Sequence, residues 1–198
     1  MKNSRNKRSS LSYDAIVLAG GEAKRMGGVD KALLEVADRP LLERALDAVT
    51  NAERVVVVGP RRSIDRDVLW AREHPPGGGP VAALAAGLAR VRCEVVVALA
   101  VDMPLVDRAI VQTLVDSIGE YAGAAVVGPS GRIQPLAAVY RTKGIEASIA
   151  RLETPSGAAV HSVVDNLSIR KVRFERADID CDTPEDVAVA SALLRERT

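Results

Sequence analysis

A glycine-rich segment near the amino terminus carries the strongest chemical signal in the sequence. It reads Leu18-Ala19-Gly20-Gly21-Glu22-Ala23-Lys24-Arg25-Met26-Gly27-Gly28-Val29-Asp30-Lys31. Its four glycines allow tight turns and let backbone N–H groups approach a ligand without an intervening Cβ. Its three cations, Lys24, Arg25 and Lys31, suit the closely spaced charges of a triphosphate. The segment therefore predicts phosphate binding, against the alternative of a flexible loop with solvated charges.

This segment matches neither of two common phosphate-binding motifs. A Walker A loop, G-x-x-x-x-G-K-[ST], needs a second glycine five positions after the first, where Arg25 and Met26 stand instead. The G-x-G spacing of a dinucleotide-binding loop occurs at Gly77 and Gly79, but Ala82 stands where the third glycine belongs. Both of those nucleotide-binding classes are therefore disfavoured.

Asp102 is the leading candidate for a metal ligand. It follows the apolar run 95–100, and Mg²⁺ in proteins is usually held by one or two carboxylates together with phosphate oxygens and waters. The alternative is that Asp102 caps the next helix. Asp107 is better placed for that role, because Pro104 and Leu105 intervene after Asp102. We therefore predict that Asp102 binds Mg²⁺.

Two further carboxylates, Asp180 and Asp182, flank Cys181 just before the last helical segment. In an extended chain, residues two positions apart lie on the same face. We predict that one of them, preferentially Asp182, is a second Mg²⁺ ligand. The alternative is that both are solvated carboxylates near a helix N-terminus.

These candidates must be positioned by an alternation of strands and helices. Short apolar runs predict strands at 15–19, 55–58, 68–71, 95–100, 124–128, 136–140 and 169–174. Helical patterns follow at 40–49, 81–91, 107–118, 142–151 and 157–166, and Thr183 with Pro184 begins a last helix. This order predicts an α/β three-layer sandwich around a mostly parallel, doubly wound sheet. Ligands of such sheets bind at the carboxyl ends of the strands, where Gly20 and Asp102 lie.

Composition narrows the class of protein. The 198 residues are 47% hydrophobic and 27% charged, which is typical of a folded domain, and we expect one domain over residues 13–198. Four of the 27 basic residues lie in the first dozen positions, so residues 1–12 are expected to be a disordered basic tail, with a polyanion-binding arm as the alternative. The remainder is slightly acidic, and we expect neither a nucleic-acid nor a membrane partner.

The cysteines and histidines form no metal-binding spacing. Cys93 and Cys181 lie far apart and are expected to be small buried side chains in a reducing, cytoplasmic setting. His74 and His161 are equally isolated. A built-in transition metal is therefore not expected.

Several motifs occur in an order that resembles a known family. After the loop pieces Leu18-Ala19-Gly20-Gly21, Arg25-Met26-Gly27 and Asp30-Lys31 come Pro40-Leu41-Leu42-Glu43, Gly79-Pro80-Val81-Ala82-Ala83, Ala100-Val101-Asp102-Met103-Pro104, Gln134-Pro135-Leu136 and Asp182-Thr183-Pro184-Glu185-Asp186. This order, along nearly the whole chain, resembles the molybdenum cofactor guanylyltransferases, nucleotidyltransferases of Rossmann-like fold. The Leu-Ala-Gly-Gly form resembles guanylyl rather than cytidylyl enzymes.

The resemblance implies a reaction: transfer of GMP from GTP to the terminal phosphate of molybdopterin, with Mg²⁺ as cofactor and pyrophosphate as leaving group. Molybdoenzymes or other proteins of cofactor biosynthesis would be its protein partners. It also implies residue roles. Nucleotide-binding residues would be Leu18, Ala19, Gly20, Gly21, Arg25, Lys31, His74 and Asp102. Of these, Arg25, Lys31 and Asp102 would be catalytic; Asp102 and Asp182 would bind metal, and Gln134, Asp180 and Asp182 the acceptor.

The sequence also departs from the family pattern. Asp180 and Asp182 replace asparagines, and Glu73-His74 stands where an aspartate that contacts the nucleotide is more usual. Two alternatives therefore stay open. One is a related nucleotidyltransferase that uses CTP, or a sugar phosphate or other acceptor. The other is a nucleotide-binding regulator without catalysis.

Overall fold

A mostly parallel sheet forms the centre of the molecule. The computed structural model describes residues 11–23, 28–177 and 179–196. Within them, seven strands form this sheet: β1 (Asp14–Leu18), β2 (Arg54–Val58), β3 (Leu69–Ala71), β4 (Val95–Ala100), β5 (Gly123–Val127), β6 (Ile133–Arg141) and β7 (Ile169–Arg173). Their order across the sheet is β7-β5-β6-β4-β1-β2-β3. Every pairing is parallel except the two made by β6, which confirms the predicted fold class.

Helices cover both faces of the sheet. They are α1 (Leu41–Ala48), α2 (Gly79–Leu88), α3 (Arg108–Ser117), α4 (Thr142–Ile149), α5 (Val160–Val164) and α6 (Pro184–Arg195). Alternate residues of β1 enter different cores, because side chains point to opposite faces of a strand. Ala15 and Val17 pack in the cluster that includes α1 and α3, whereas Ile16 and Leu18 pack in the cluster that includes α2, α4 and α5. The sheet is thus buried from both sides, as continuous apolar strands require.

Most differences from the predicted elements lie at their ends. Pro40 is the N-cap of α1 and not its first helical residue. Strand β6 begins at Ile133, ahead of the predicted 136, because its register with β5 shifts between Gln134 and Ala138 and so accommodates polar residues before the apolar run. Helix α5 is much shorter than the predicted 157–166. The expected tail falls almost wholly on residues 1–10, which lie outside the described residues.

The capping prediction for the last helix is confirmed. The Thr183 hydroxyl accepts from the backbone N–H of Asp186, and the Asp186 carboxylate accepts from the backbone N–H of Thr183. This reciprocal pair satisfies two donors that a helix N-terminus would otherwise leave open. Asp107 likewise caps α3 by accepting from the backbone N–H of Ile110, which leaves Asp102 outside that cap.

A buried carboxylate fastens the first residue of β1 to the segment before β4. Asp14 is fully buried and accepts from the backbone N–H groups of Arg92, at 2.6 Å, and Cys93, at 3.1 Å. The Cys93 thiol also donates to Asp14, and Arg54 lies 3.6 Å away. Burial is the largest cause that raises the pKa of Cys93 to about 11, and the hydrogen bond with the Asp14 carboxylate is the second. The thiol therefore stays protonated at neutral pH. The prediction that Cys93 is buried is wrong: it is half-buried, because its thiol donates a hydrogen bond to Asp14 at the end of a loop and does not pack in the core.

We expect Asp14→Ala to lower the free energy of unfolding by about 2–3 kcal/mol, because the Arg92 and Cys93 N–H groups lose their acceptor. Urea denaturation at neutral pH measures this change. Asp65→Ala, at an exposed carboxylate, is the matched control and should stay within about 0.5 kcal/mol of the unchanged protein. Equal effects of the two substitutions would contradict a structural role for Asp14.

Candidate functional site

The register between β1 and β4 brings the glycine-rich segment next to Asp102. Leu18 lies opposite Ala100 in this parallel pair, and the backbone N–H of Val101 donates to the Leu18 carbonyl at 3.1 Å. The chain therefore leaves both strands at the same edge of the sheet. Because β2 lies on one side of β1 and β4 on the other, this edge is also where the chain path reverses, the usual ligand position in doubly wound sheets.

The end of β2 closes against the end of β1. The N–H of Ala19 donates to the Val58 carbonyl at 2.8 Å. Gly59 adopts φ +150°, and a Cβ there would lie 2.8 Å from the carbonyl carbon and oxygen of Ala19. Only glycine fits this approach without displacing the backbone. The hydrogen bond to Val58 also means that the Ala19 N–H already has an acceptor within the protein.

A cavity of about 790 Å³ opens at this edge of the sheet. Its glycines are Gly20, Gly21, Gly28, Gly77 and Gly79. Its charged residues are Asp30, Lys31, Arg62, Arg72, Glu73 and Asp102. The volume lies in the range of small-molecule sites, and exposed backbone near glycines combined with both signs of charge suits a polar, charged ligand.

Lys31 joins two carboxylates at one side of this cavity. Its Nζ donates to Asp102 at 3.0 Å and also to Asp182. The Lys31 side chain is 14% exposed, against 26% for Asp102 and 42% for Asp182. Burial by itself lowers the pKa of Lys31, but the two carboxylates outweigh it and hold that pKa above its usual value. Lys31 is therefore a charged ammonium at neutral pH.

The segment before α6 is fastened to the same place by backbone contacts. The N–H of Cys181 donates to the Asp102 carbonyl at 2.9 Å. The capping pair of Thr183 and Asp186 then sets the direction of the chain one residue after Asp182. Asp182 is thereby held beside Asp102, although the two are distant in the sequence.

Asp180 and Cys181 are affected differently by their surroundings. Asp180 is exposed, and desolvation followed by the charge of Asp182 raises its pKa. Cys181 is fully buried, and burial followed by the charge of Asp102 raises the pKa of its thiol to about 12. Cys181 is thus the small buried side chain that the sequence predicted.

Sequence reasoning missed Arg62, which lies in the loop that follows β2. Its Nε and Nη2 donate to the two oxygens of Asp30 at 2.8 and 2.7 Å. Nη2 also donates to the Ala19 carbonyl at 3.0 Å, and Nη1 donates to the Pro60 carbonyl at 2.9 Å. Its side chain is only 8% exposed. Arg62 could have been found by applying the carboxyl-end rule to β2 as well as to β1 and β4.

The sequence predicted that His74 contacts the nucleotide, but in the structure the preceding residue, Glu73, lies at the cavity. Glu73 lines the cavity, and a Cβ added at Gly20 would lie 3.8 Å from Glu73 Oε1. That oxygen accepts from the N–H of Gly77, whereas Oε2 is buried and has no hydrogen-bond partner among the described residues. His74 is exposed and is absent from the cavity lining.

The other candidates divide between the cavity and its surroundings. Leu18, Gly20 and Gly21 line the cavity. Gln134 lies in β6 opposite Val126 and is outside the lining, which Leu136 joins from the same strand. Arg25 lies outside the described residues.

The described residues contain no cluster of three or more histidine, cysteine, aspartate or glutamate side chains that could by itself hold a metal. Among the same residues, no helix has the length and apolar character needed to span a membrane.

Comparison with known proteins identifies a family. Residues 15–170 match the family described as the MobA-like NTP transferase domain. A "Probable molybdenum cofactor guanylyltransferase" of Natronomonas pharaonis is 31% identical over 196 residues, covering 90% of this chain and 96% of that protein.

Solved structures share the fold at low identity. Molybdopterin-guanine dinucleotide biosynthesis protein A from Archaeoglobus fulgidus superposes with a TM-score of 0.73 at 18% identity, over 92% of this chain and 99% of that one. The 2-C-methyl-D-erythritol 4-phosphate cytidylyltransferase of Thermus thermophilus gives 0.71 at 20%, over 93% and 100%. At these identities the likeness shows the fold alone, and the sequence match carries the assignment: the chain belongs to the MobA-like NTP transferase family.

Proposed function

We propose that this protein transfers GMP from GTP to the terminal phosphate of molybdopterin and releases pyrophosphate. The observation that carries the proposal is the Lys31 ammonium held between Asp102 and Asp182 beside a glycine-lined cavity. Membership of the family supports nucleotidyl transfer as the reaction type. The names of the relatives support guanine as the base and the molybdenum cofactor as the acceptor.

The two carboxylates fit a magnesium ion that arrives with the triphosphate. Asp102 and Asp182 both reach one ammonium nitrogen, so their oxygens converge on a single cation position. Mg²⁺ commonly takes one or two carboxylates and completes its shell with phosphate oxygens and waters. Bound there, the ion would neutralise charge on the α-phosphate and the leaving pyrophosphate.

Lys31 would stabilise the charge that develops on the phosphates during transfer. Its raised pKa keeps it cationic, and its position within the cavity lining puts it within reach of a bound triphosphate. The backbone N–H groups of Gly20 and Gly21 and the guanidinium of Arg25 are proposed to bind the same phosphates. The attacking phosphate is already anionic near neutral pH, so the reaction needs no general base.

Glu73 provides a physical reason for a guanine preference. One oxygen of its carboxylate is buried beside the cavity and has no hydrogen-bond partner within the described part of the chain, and such an acceptor is costly to leave unpaired. Guanine offers adjacent N1–H and N2–H donors, whereas cytosine offers only its amino group. A rotation of the Glu73 carboxylate that releases Oε1 from the Gly77 N–H and exposes Oε2 would let it accept both guanine donors. We therefore propose Glu73, in place of His74, as the residue that selects the base.

The acceptor side of the site is proposed at Gln134, Asp180 and Asp182. Asp180 lies two residues before Asp182 and is exposed, so an acceptor could reach it. The free thiols of Cys93 and Cys181 suit the reducing cytoplasm, which we propose as the location of the reaction.

Pyrophosphate release with GTP or CTP and candidate acceptors tests the function directly. We expect release with GTP and molybdopterin, and a smaller GTP preference in Glu73→Gln, because the neutral amide places a donor beside the guanine donors. Glu120→Gln, at an exposed position, is the control. A CTP preference would reassign the base, release with another acceptor would reassign the reaction, and binding without release would indicate a regulator.

Loss of either the Lys31 or the Asp102 side chain should slow transfer strongly while the fold remains. We expect Lys31→Ala and Asp102→Ala each to lower kcat by about 10²–10³-fold, since both remove charge stabilisation at the reacting phosphates. Lys143→Ala and Asp116→Ala, at exposed positions, are matched controls, and circular dichroism checks folding. Near-normal kcat in either site variant would remove the proposed mechanism.

The metal role of Asp182 is separable from its charge. Asp182→Asn should raise the Mg²⁺ concentration for half-maximal activity about tenfold or more, as expected for the loss of one carboxylate ligand. Asp180→Asn removes the same charge two residues away and should leave that midpoint nearly unchanged. Equal shifts in the two variants would show a general charge effect and would contradict ligation by Asp182.

A further inference from the structure

We infer that Arg62 is a positioning residue that acts through Asp30 to hold Lys31 against Asp102 and Asp182. The catalytic consequence of this inference rests on the proposed function. The inference itself comes from the contacts of Arg62 with three separate segments of the chain, which are the end of β1, the end of β2 and the loop residue that precedes Lys31.

The guanidinium is fixed to the sheet on one side. Its contacts with the Ala19 and Pro60 carbonyls are contacts with backbone that directly continues β1 and β2. Those strand ends are themselves joined by the hydrogen bond from Ala19 to Val58. With only 8% of its side chain exposed, Arg62 has little room to adopt another rotamer.

On its other side the guanidinium donates two parallel hydrogen bonds to the Asp30 carboxylate. This bidentate geometry restricts both distance and orientation, and it is stronger than a single contact. The Arg62 hydrogen bond, which outweighs desolvation, holds the pKa of Asp30 below its usual value. Asp30 is therefore an anion that Arg62 holds in one place.

Asp30 in turn sets the backbone of Lys31. Its Oδ1 accepts from the N–H of Ala32 at 3.1 Å and so caps the short 3₁₀ helix Lys31–Leu33. Lys31 is the first residue of that turn. Because its ammonium lies at the end of a flexible four-carbon side chain, the backbone position determines where the charge can reach. Fixing Asp30 thus limits where Nζ lies relative to Asp102.

Arg62 has little capacity left to bind a triphosphate directly. Four N–H groups of the guanidinium donate to protein acceptors, out of the five that arginine carries. The Lys31 ammonium, by contrast, donates to Asp102 and Asp182, two carboxylates that could also serve a metal. The geometry therefore favours an indirect role for Arg62 over direct phosphate binding, even though it lines the cavity.

Kinetics in two backgrounds test the inference. Arg62→Met should lower kcat for pyrophosphate release by about 10–100-fold, with a much smaller change in KM for GTP, because a small misplacement of a catalytic group is costly. Arg62→Lys should lower kcat less than Arg62→Met does, since lysine keeps an ion pair with Asp30 but cannot form the bidentate pair of hydrogen bonds. Arg61→Met, at the exposed neighbouring arginine, is the matched control and should leave kcat unchanged.

In a Lys31→Ala background, Arg62→Met should change the single-turnover rate by less than about twofold, since residues that act as one unit are not additive. Retention of the full loss in that background would mean that Arg62 acts on the nucleotide itself, and would overturn the inference. Equal losses in Arg61→Met and Arg62→Met would overturn it too.

Hydrogen exchange without substrate gives a readout that does not depend on the proposed reaction. Amides of residues 28–34 should exchange faster in Arg62→Met and at the original rate in Arg61→Met. If the protein without substitutions releases no pyrophosphate, the proposed function fails, but hydrogen exchange still tests whether Arg62 holds Asp30 in place. Exchange rates in Arg62→Met equal to those of the protein without substitutions would contradict that interaction.

Discussion

The parallel pairing of β1 with β4 is the constraint on which the site depends. It places Leu18 opposite Ala100, and the two chains therefore leave the sheet side by side. Lys31 and Asp102 are 71 positions apart in the sequence, yet this register brings their side chains into contact. The site is thus a property of strand alignment, because a shift by one residue would turn alternate side chains to the opposite face.

The ends of the neighbouring elements then fit around that alignment. Gly59 lets β2 end against Ala19, and the hydrogen bond from Cys181 to Asp102 brings in the segment before α6. Each contact is made by backbone groups, and the approach at Gly59 also requires the absence of a Cβ. The backbone therefore builds the frame of the cavity, and a few charged side chains determine what it can bind.

Charge balance supports the proposed role of this frame in binding a triphosphate. Asp102 and Asp182 carry two negative charges against the single positive charge of Lys31, while Arg62 and Asp30 neutralise each other. A triphosphate alone would add repulsion to this arrangement. A divalent ion that accompanies the nucleotide would satisfy the carboxylates and leave the ammonium available to the phosphates, because neighbouring opposite charges are strongly favourable where water is limited.

The sequence by itself determined the fold class, most strand positions and the two loops that meet at the site. Apolar runs indicated strands buried on both faces, and glycines and Asp102 indicated where those strands end. Thr183 and Asp186 specified the start of a helix, because residues three positions apart cap it. All of these signals are local. They were weakest at β6 and α5, where a register shift and a short helix depend on neighbouring elements.

Only the tertiary structure decided which side chains meet. It joined Asp182 to Lys31 across 151 positions and Arg62 to Asp30 across 32, and it brought Glu73 to the cavity where the sequence had favoured His74. Hydrophobic periodicity records how each segment is buried, but it contains no information on the path of the chain between segments. Contacts between distant charged groups depend on that path and on strand register, and for that reason they became visible only in the folded molecule.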